Sequence, residues 1–299
     1  MCGRRNRGVA LLGTVVALAV MTVLATSLAR TSALDAHLAR TALATLQADA
    51  LARSGVAAAT ALLGANGTRV DSFHAPWARD PGPQPLGAGV VRVRVEDEAR
   101  RLDLGTPELA AALPALLGSL GLDARLADAI ADWSDADDVA RPHGAERAWY
   151  LALTPPYVAA NAPLRTLGEL RLVRGVDAAA LARLRPHVTV AGERAVNPNT
   201  ASQEVLVALA GPAAAARVLA ARQKAPLARD AFAALLPDVP PRRLTDRGSF
   251  YRVIAEGEVG TVRRAIEATV RAPAGLDAEV VSWRPAGEDE RSVVSSGES

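Results

Sequence analysis

The sequence predicts an α+β protein in which a long N-terminal helix packs on a small antiparallel sheet, with a large all-α insertion dividing that sheet along the chain. Three observations predict it. Leu and Ala recur at helical spacing from about Val9 to about Leu63 with no proline. Residues 90–95 (VVRVRV) alternate apolar and basic side chains, as a half-buried strand does, and strand signals return only after Arg247. Between them, from Thr106 to about Leu244, the chain reads as Leu/Ala-rich helical stretches broken by Pro and Gly.

The N-terminal helix changes character midway. Arg4, Arg5 and Arg7 precede Gly8, and residues 9–29 carry no charge. At about 1.5 Å per residue this run spans a bilayer core of about 30 Å, and the arginines favour the cytoplasmic side. From Arg30 onward Asp35, Arg40, Asp49 and Arg53 fall among apolar positions, so the second half is amphipathic. Gly55 is its only interior breaker. Ser27, Leu28 and Ala29 would suit a cleaved secretory signal, and an uncleaved signal anchor fits as well. A twin-arginine signal fits less well, because Asn6-Arg7 follows Arg4-Arg5.

Residues 66–89 are rich in Gly, Pro, Asp and Asn and read as a loop before the strand at 90–95. Residues 250–257 and 261–270 read as a hairpin turning through Val259-Gly260, with a further strand at 279–283 and a polar, disordered tail over 286–299. A lone hairpin is marginal in water, so the early strand is expected to join the late ones in one sheet. The expected divisions are therefore 1–8, 9–65, 66–103, 104–246, 247–285 and 286–299.

Composition narrows the function. The chain has 299 residues with a net charge of +2, too little for a nucleic-acid-binding polycation. Its single cysteine, Cys2, excludes an intrachain disulfide and a cysteine-rich zinc site. His37, His74, His143 and His187 are scattered, and no GxSxG, Walker A or GxGxxG motif occurs, so no catalytic site is expected. Asp97 and Glu98 could form a carboxylate dyad, although solvated turn residues are the commoner reading.

The densest polar cluster is Asp128, Asp132, Asp135, Asp137 and Asp138, followed by Gly144 and Glu146. Carboxylates at a helix C-terminus oppose the macrodipole and repel one another, so a compensating charge is expected. Ca²⁺ suits such a loop, with Asp132, Asp135, Asp137, Asp138 and Glu146 as candidate ligands. The alternative is a solvated acidic loop partly neutralised by Arg141 and Arg147. A second pattern lies around Arg174-Gly175-Val176-Asp177 and in Val196-Asn197-Pro198-Asn199-Thr200-Ala201, which resemble a helix-hairpin-helix module of competence-type DNA receptors. Pro212 removes a donor from the second hairpin and Asp177 adds repulsion, which impairs phosphate gripping. Read as a packing module, the stretch uses Thr200 or Asn199 as an N-cap.

The layout of a short basic leader ending in Gly8 and a long helix from Val9 resembles the type IV pilin and pseudopilin superfamily. Several further stretches occur in an order that resembles the large minor pseudopilin of type II secretion, the general secretion pathway protein K family. These are residues 47–55 (QADALARSG), Asp97-Glu98 leading to Leu102-Asp103-Leu104, and Asp132-Trp133 with Asp135, Asp137 and Asp138. Gly144-Ala145-Glu146, Tyr150, residues 153–157 (LTPPY) and the asparagine block complete the set. The resemblance implies a pseudopilin fold with a helical insertion, cleavage by prepilin peptidase after Gly8, and N-methylation of Val9. Gly13 stands at the fifth mature position, where most of the superfamily has Glu, and its absence fits a subunit at the fibre tip. The resemblance further implies a single-pass inner-membrane protein with its bulk in the periplasm. Its partners would be minor pseudopilins I and J and other pseudopilins. The role would be non-catalytic, capping the pseudopilus and limiting its length, with calcium in the helical domain and no nucleic acid. The alternative is a membrane-anchored periplasmic helix-hairpin-helix DNA receptor.

Overall fold

The computed structural model describes residues 5–65 and 70–287; Cys2, Arg4 and the tail from Glu288 onward lie outside the described residues. Helix α1 (Arg5–Gly64) is continuous, and Gly8 and Val9 lie within it. Over the described side chains its N-terminal half is exposed, as at Leu11, Val15, Leu18, Leu24, Leu34 and Leu38. Its C-terminal half docks on the sheet through Ala48, Ala52, Val56, Ala59 and Leu63, a helical stripe of mostly small residues.

The sheet has the order β1-β2-β5-β6-β7, formed by β1 (Gln84–Leu86), β2 (Gly89–Asp97), β5 (Phe250–Val259), β6 (Val262–Arg271) and β7 (Glu279–Pro285), all antiparallel. The early strand therefore pairs with the late hairpin, Val95 facing Val253 across the β2–β5 ladder. The hairpin turns through Gly260, whose φ of 59° suits glycine. One expectation needs correction. The stretch before β2 is not all loop: it contains a 3-10 turn (Pro76–Ala78) and β1, which Gly87 lets fold back on β2.

Gly55 is not a helix breaker but a point of close approach. A Cβ there would lie 2.8 Å from Val91 Cγ2 and 2.9 Å from Val93 Cγ2. On the facing strand a Cβ at Gly257 would run into main-chain atoms of Ala48 and Ala52. Helix and sheet thus meet backbone to backbone, which only small residues permit. Around this contact Ala52, Val56, Trp77, Tyr251, Val253, Ile266 and Val270 form one apolar core. The opposite face of the sheet carries ion pairs, Arg92 with Glu258 at 2.7 Å, Arg252 with Glu98 at 2.9 Å and Arg284 with Glu267 at 2.8 Å.

Between β2 and β5 the insertion forms short helices: α2 (Pro107–Ala110), α3 (Leu113–Ser119), α4 (Leu126–Ser134), α5 (Arg147–Leu151), α6 (Ala178–Leu184), α7 (Gln203–Arg222) and α8 (Arg229–Leu235). The stretch also holds a small parallel pairing of β3 (Leu102–Asp103) with β4 (Val188–Thr189). It has its own apolar core, centred on Leu109, Leu116, Leu117, Leu170, Leu184 and Leu206. Trp133, Tyr150 and Tyr157 stack within it, with Trp133 5.1 Å from Tyr150 and Tyr150 5.3 Å from Tyr157, edge-on or tilted.

The insertion is tied to the sheet by buried polar side chains. Asp97 Oδ1 accepts from the Ala99 amide, and Oδ2 accepts from Asn197 Nδ2 at 2.9 Å and Thr200 Oγ1 at 2.8 Å. Asn197 also donates from Nδ2 to the Asp71 carbonyl and from its amide to the Ala99 carbonyl. The Asp71 carboxylate accepts from Trp77 Nε1, Tyr251 Oη and the Gly248 amide. Asp71, Asp97, Asn197 and Thr200 are each at most 1% exposed. Burial, and then the Asp71 charge, push Asp97 up to about 6. Burial would raise Glu98 also, but the Arg101 and Arg252 guanidiniums hold it at about 2. Asp97 and Glu98 are therefore neither solvated turn residues nor a dyad sharing a proton; each serves a different buried network.

The asparagine block is corrected in the same way. The N-cap of α7 is Ser202, which accepts from the Val205 amide, while Thr200 is spent on Asp97. Asn199 brackets Leu227, accepting from its amide at 2.8 Å and donating to its carbonyl at 2.9 Å. A second carboxylate at the junction, Glu193, accepts from the Ser249 and Phe250 amides at 2.7 Å each, where the chain enters β5.

Two outcomes follow from this packing. Gly257→Val forces helix and sheet apart and should lower stability by about 1–3 kcal/mol or more, read from urea melts; an unchanged midpoint would contradict the close approach. Burial, and then the Asp97 charge, push Glu193 up to about 8 from an ordinary 4.5. The folded chain then holds a proton that the unfolded chain releases, so this stabilisation is complete below pH 4.5 and is lost as pH rises through about 8. Glu193→Gln keeps the acceptor without the charge, so its urea midpoint should fall less than that of the parent between pH 6.5 and 8.5. Equal falls would refute the assignment.

Candidate functional site

The acidic cluster lies on α4 and the turn that follows it. Helical spacing puts Asp128 and Asp132 on one face, and the chain then folds back so that their carboxylates cap the returning turn. Asp128 Oδ2 accepts from the His143 amide at 3.2 Å, and Asp132 Oδ2 accepts from the Arg141 amide at 3.1 Å. Gly144 passes so close to the Asp132 carboxylate that a Cβ there would collide with it. The compensating charge begins with protein: Arg141 Nη1 donates to Asp132 Oδ1 at 2.6 Å and to Asp135 Oδ2 at 2.5 Å. Those two hydrogen bonds raise the Arg141 pKa. Arg147, the other expected neutraliser, starts α5 and makes no ion pair among the described residues.

Arg141 does not satisfy the whole cluster. One carboxylate oxygen from each of Asp135, Asp137 and Glu146 lies within 4.8 Å of the others. Glu146 is 6% exposed, yet neither of its carboxylate oxygens has a hydrogen-bond partner, and Asp135 Oδ1 is likewise buried and unpartnered. Burial, and then the charges of Asp132 and Asp135, raise the pKa of Glu146. Three converging oxygens, several orphaned, match the donor set that a hard divalent cation takes.

The five candidate ligands thus separate. Asp135, Asp137 and Glu146 converge; Asp132 is held by Arg141; Asp138 Oδ1 accepts from Asn161 Nδ2 at 3.0 Å. Asn161 was not legible in the sequence as part of the cluster. It lies 23 positions from Asp138, adopts a left-handed φ of 41°, and donates also to the Asp137 carbonyl. Its Oδ1 is buried without a partner, making it a further oxygen donor beside the acidic turn. Its only sequence signal is an Asn in an Ala/Pro-rich loop, which suits αL backbone.

The two hairpins read in the sequence both form. Gly175 turns at φ 80° between a 3-10 segment (Leu167–Leu172) and α6, and Gly211 turns at φ 79° within α7. The first hairpin is spent internally. Asp177 caps α6, accepting from the Ala180 amide at 2.7 Å, and the Val176 amide bonds Val173. The flank is tied to the acidic turn, since Arg174 Nη1 donates to the Gly144 carbonyl and its guanidinium stacks on Trp149.

Comparison with known proteins agrees with this architecture. A family model described as type II secretion system protein K matches residues 99–193, from the end of β2 through most of the insertion. Protein K of the type II secretion system from Pseudomonas aeruginosa is 31% identical over 90% of this chain and 89% of its own length. Its counterpart from Aeromonas hydrophila is 30% identical over 88% of this chain and 92% of its own. Among solved structures, a chain of the GspK–GspI–GspJ complex from enterotoxigenic Escherichia coli superposes with a TM-score of 0.69 at 22% identity. That alignment covers 83% of this chain and 99% of the other, and it shows the same fold. With these relatives matched over most of their length, the chain belongs to the type II secretion system protein K family.

Proposed function

We propose that this protein is the minor pseudopilin that caps the periplasmic pseudopilus of a type II secretion machine, in complex with minor pseudopilins I and J. The observation that carries the reading is the division of α1. Its C-terminal half is the spine of the pseudopilin domain, while its apolar N-terminal half is left exposed among the described residues. Such a half-helix is long and apolar enough to cross a membrane, and it can pass from lipid into a bundle of similar helices. Prepilin peptidase would cut after Gly8 and Val9 would be N-methylated, freeing the helix at its N-terminus. Gly13 offers no carboxylate to a subunit stacked above, which suits a terminal position. The insertion widens the head beyond the pseudopilin core, so that it can both start assembly and limit fibre growth. The role is non-catalytic.

Calcium fits the acidic turn on its chemistry. Asp135, Asp137 and Glu146 would hold it, with Asn161 and Asp138 alongside. The ion would supply positive charge to otherwise unsatisfied oxygens and fasten the turn that Arg141 only partly neutralises. Its role is structural, linking α4 to α5.

The full chain, co-expressed with minor pseudopilins I and J and extracted in mild detergent, should purify as a ternary complex. Recovery of the chain alone, with duplex DNA binding that falls steeply with salt, would favour the DNA-receptor reading instead. For calcium, saturating Ca²⁺ should raise the Tm and a chelator lower it; a hundredfold excess over Kd corresponds to about 2.7 kcal/mol. Glu146→Gln with Asp137→Asn should remove most of that response. A Tm indifferent to Ca²⁺ would overturn the site.

A further inference from the structure

A cavity of about 240 Å³ lies between the segment around Phe73 and Arg79, the outer edge of β2, and Thr200 of the insertion. Three elements send an arginine to it: Arg79 after the Pro76–Ala78 turn, Arg94 from β2, and Arg100 from the 3-10 turn that follows (Glu98–Arg100). Other arginines of the sheet and of the turn after β2, Arg92, Arg101, Arg252 and Arg284, are ion-paired. Arg79, Arg94 and Arg100 make no ion pair or hydrogen bond among the described residues, although Arg100 stacks 5.9 Å from the Phe73 ring. The pocket's own carboxylates make their direct contacts elsewhere, although the charges of Glu96 and then Asp97 also act on Arg100. Glu96 pairs with Arg101, Asp97 takes Asn197 and Thr200, and Asp80 accepts from the Gly82 amide.

The main chain adds donors. Leu86 and Gly89 close a two-residue hairpin, so the peptide groups of Gly89 face β1, and alternation turns those of Val91, Val93 and Val95 the same way. Strand β1 ends at Gln84, opposite Val91. Beyond it the outward amides of Val93 and Val95 have no hydrogen-bond partner among the described residues, and both residues line the cavity. Unpaired guanidiniums and free edge amides are the donor set for a carboxylate, and the volume admits one or two residues. Phe73, half exposed at the rim, provides an apolar platform backed by Arg100 and Arg222.

We propose that this pocket docks an acidic segment of a partner protein, seating one Asp or Glu carboxylate among Arg79, Arg94 and Arg100 against the free edge of β2. The chemistry is independent of where the chain sits in a fibre, so its failure would leave the pseudopilus reading untouched. The test uses the full chain in detergent micelles and a fluorescein-labelled peptide, Gly-Glu-Gly-Asp-Gly, followed by anisotropy. Exchange of Glu and Asp for Gln and Asn, or Arg94→Ala combined with Arg100→Ala in the protein, should each weaken binding by about tenfold or more. Binding unaffected by either change would overturn the proposal. Free glutarate carries the same chemistry without a peptide, and glutarate that displaces the peptide at equal concentration would overturn the assignment to a protein segment. If the double variant melts early, Arg79→Ala, whose side chain is exposed, gives the same reading without touching β2.

Discussion

The carboxylate of Asp97 is the point on which the architecture turns. It ends the strand that pairs with the late hairpin, and its oxygens receive Asn197 and Thr200 from about a hundred positions further along, just before α7. A buried carboxylate is costly unless its oxygens are satisfied, and here three donors satisfy them. The Asp71 carboxylate does the same for Trp77, Tyr251 and Gly248, and its carbonyl also receives Asn197, so contacts between residues at least a hundred positions apart fasten the insertion to the sheet. Apolar packing alone would leave two separate cores free to hinge, since Leu116 and Leu206 belong to one and Val56 and Val253 to the other. The polar junction makes their relative position specific.

That rigidity matters because α1 serves two environments. Its C-terminal half approaches β5 closely enough to exclude any side chain at Gly257, which fixes the direction in which the exposed apolar half leaves the domain. With the insertion locked to the sheet and the sheet locked to the helix, the position of the insertion follows that of the helix. The N-terminal half, over residues 9–29, is built chiefly of Leu, Val and Ala with a few Gly, Thr and Ser, which suits lipid and helix neighbours equally.

Much of this was legible in the sequence because it depends on period. The long proline-free Leu/Ala run through residue 64, the alternation in β2 and the β-rich stretches of the β5–β6 hairpin are plain in the sequence, and the split of the sheet followed from the helical text between them. What period does not carry was missed. β1 is three exposed residues with a proline, too short to alternate. Gly55 looks like a breaker until its neighbours across the fold are known. Asn199, Thr200 and Asp97 look like caps and turn residues, because their partners lie far away in sequence. In the acidic turn the residue types pointed to a cation, but sequence alone could not tell that Arg141 takes Asp132 while Asp135, Asp137 and Glu146 converge. Asn161, brought in by a left-handed loop, carried no signal beyond an Asn in an Ala/Pro-rich loop.

The account holds that sheet and insertion form one cooperative unit through the Asp97 junction, and native-state hydrogen exchange tests this most directly. Amides in β5, around Val253, and in α7, around Val205 and Val218, should open with the same free energy in the parent chain. Asn197→Ala removes one buried donor, at a cost of about 1–3 kcal/mol, and should let α7 open before β5. Parent amides already opening at different free energies, or a variant in which both regions weaken equally, would contradict it.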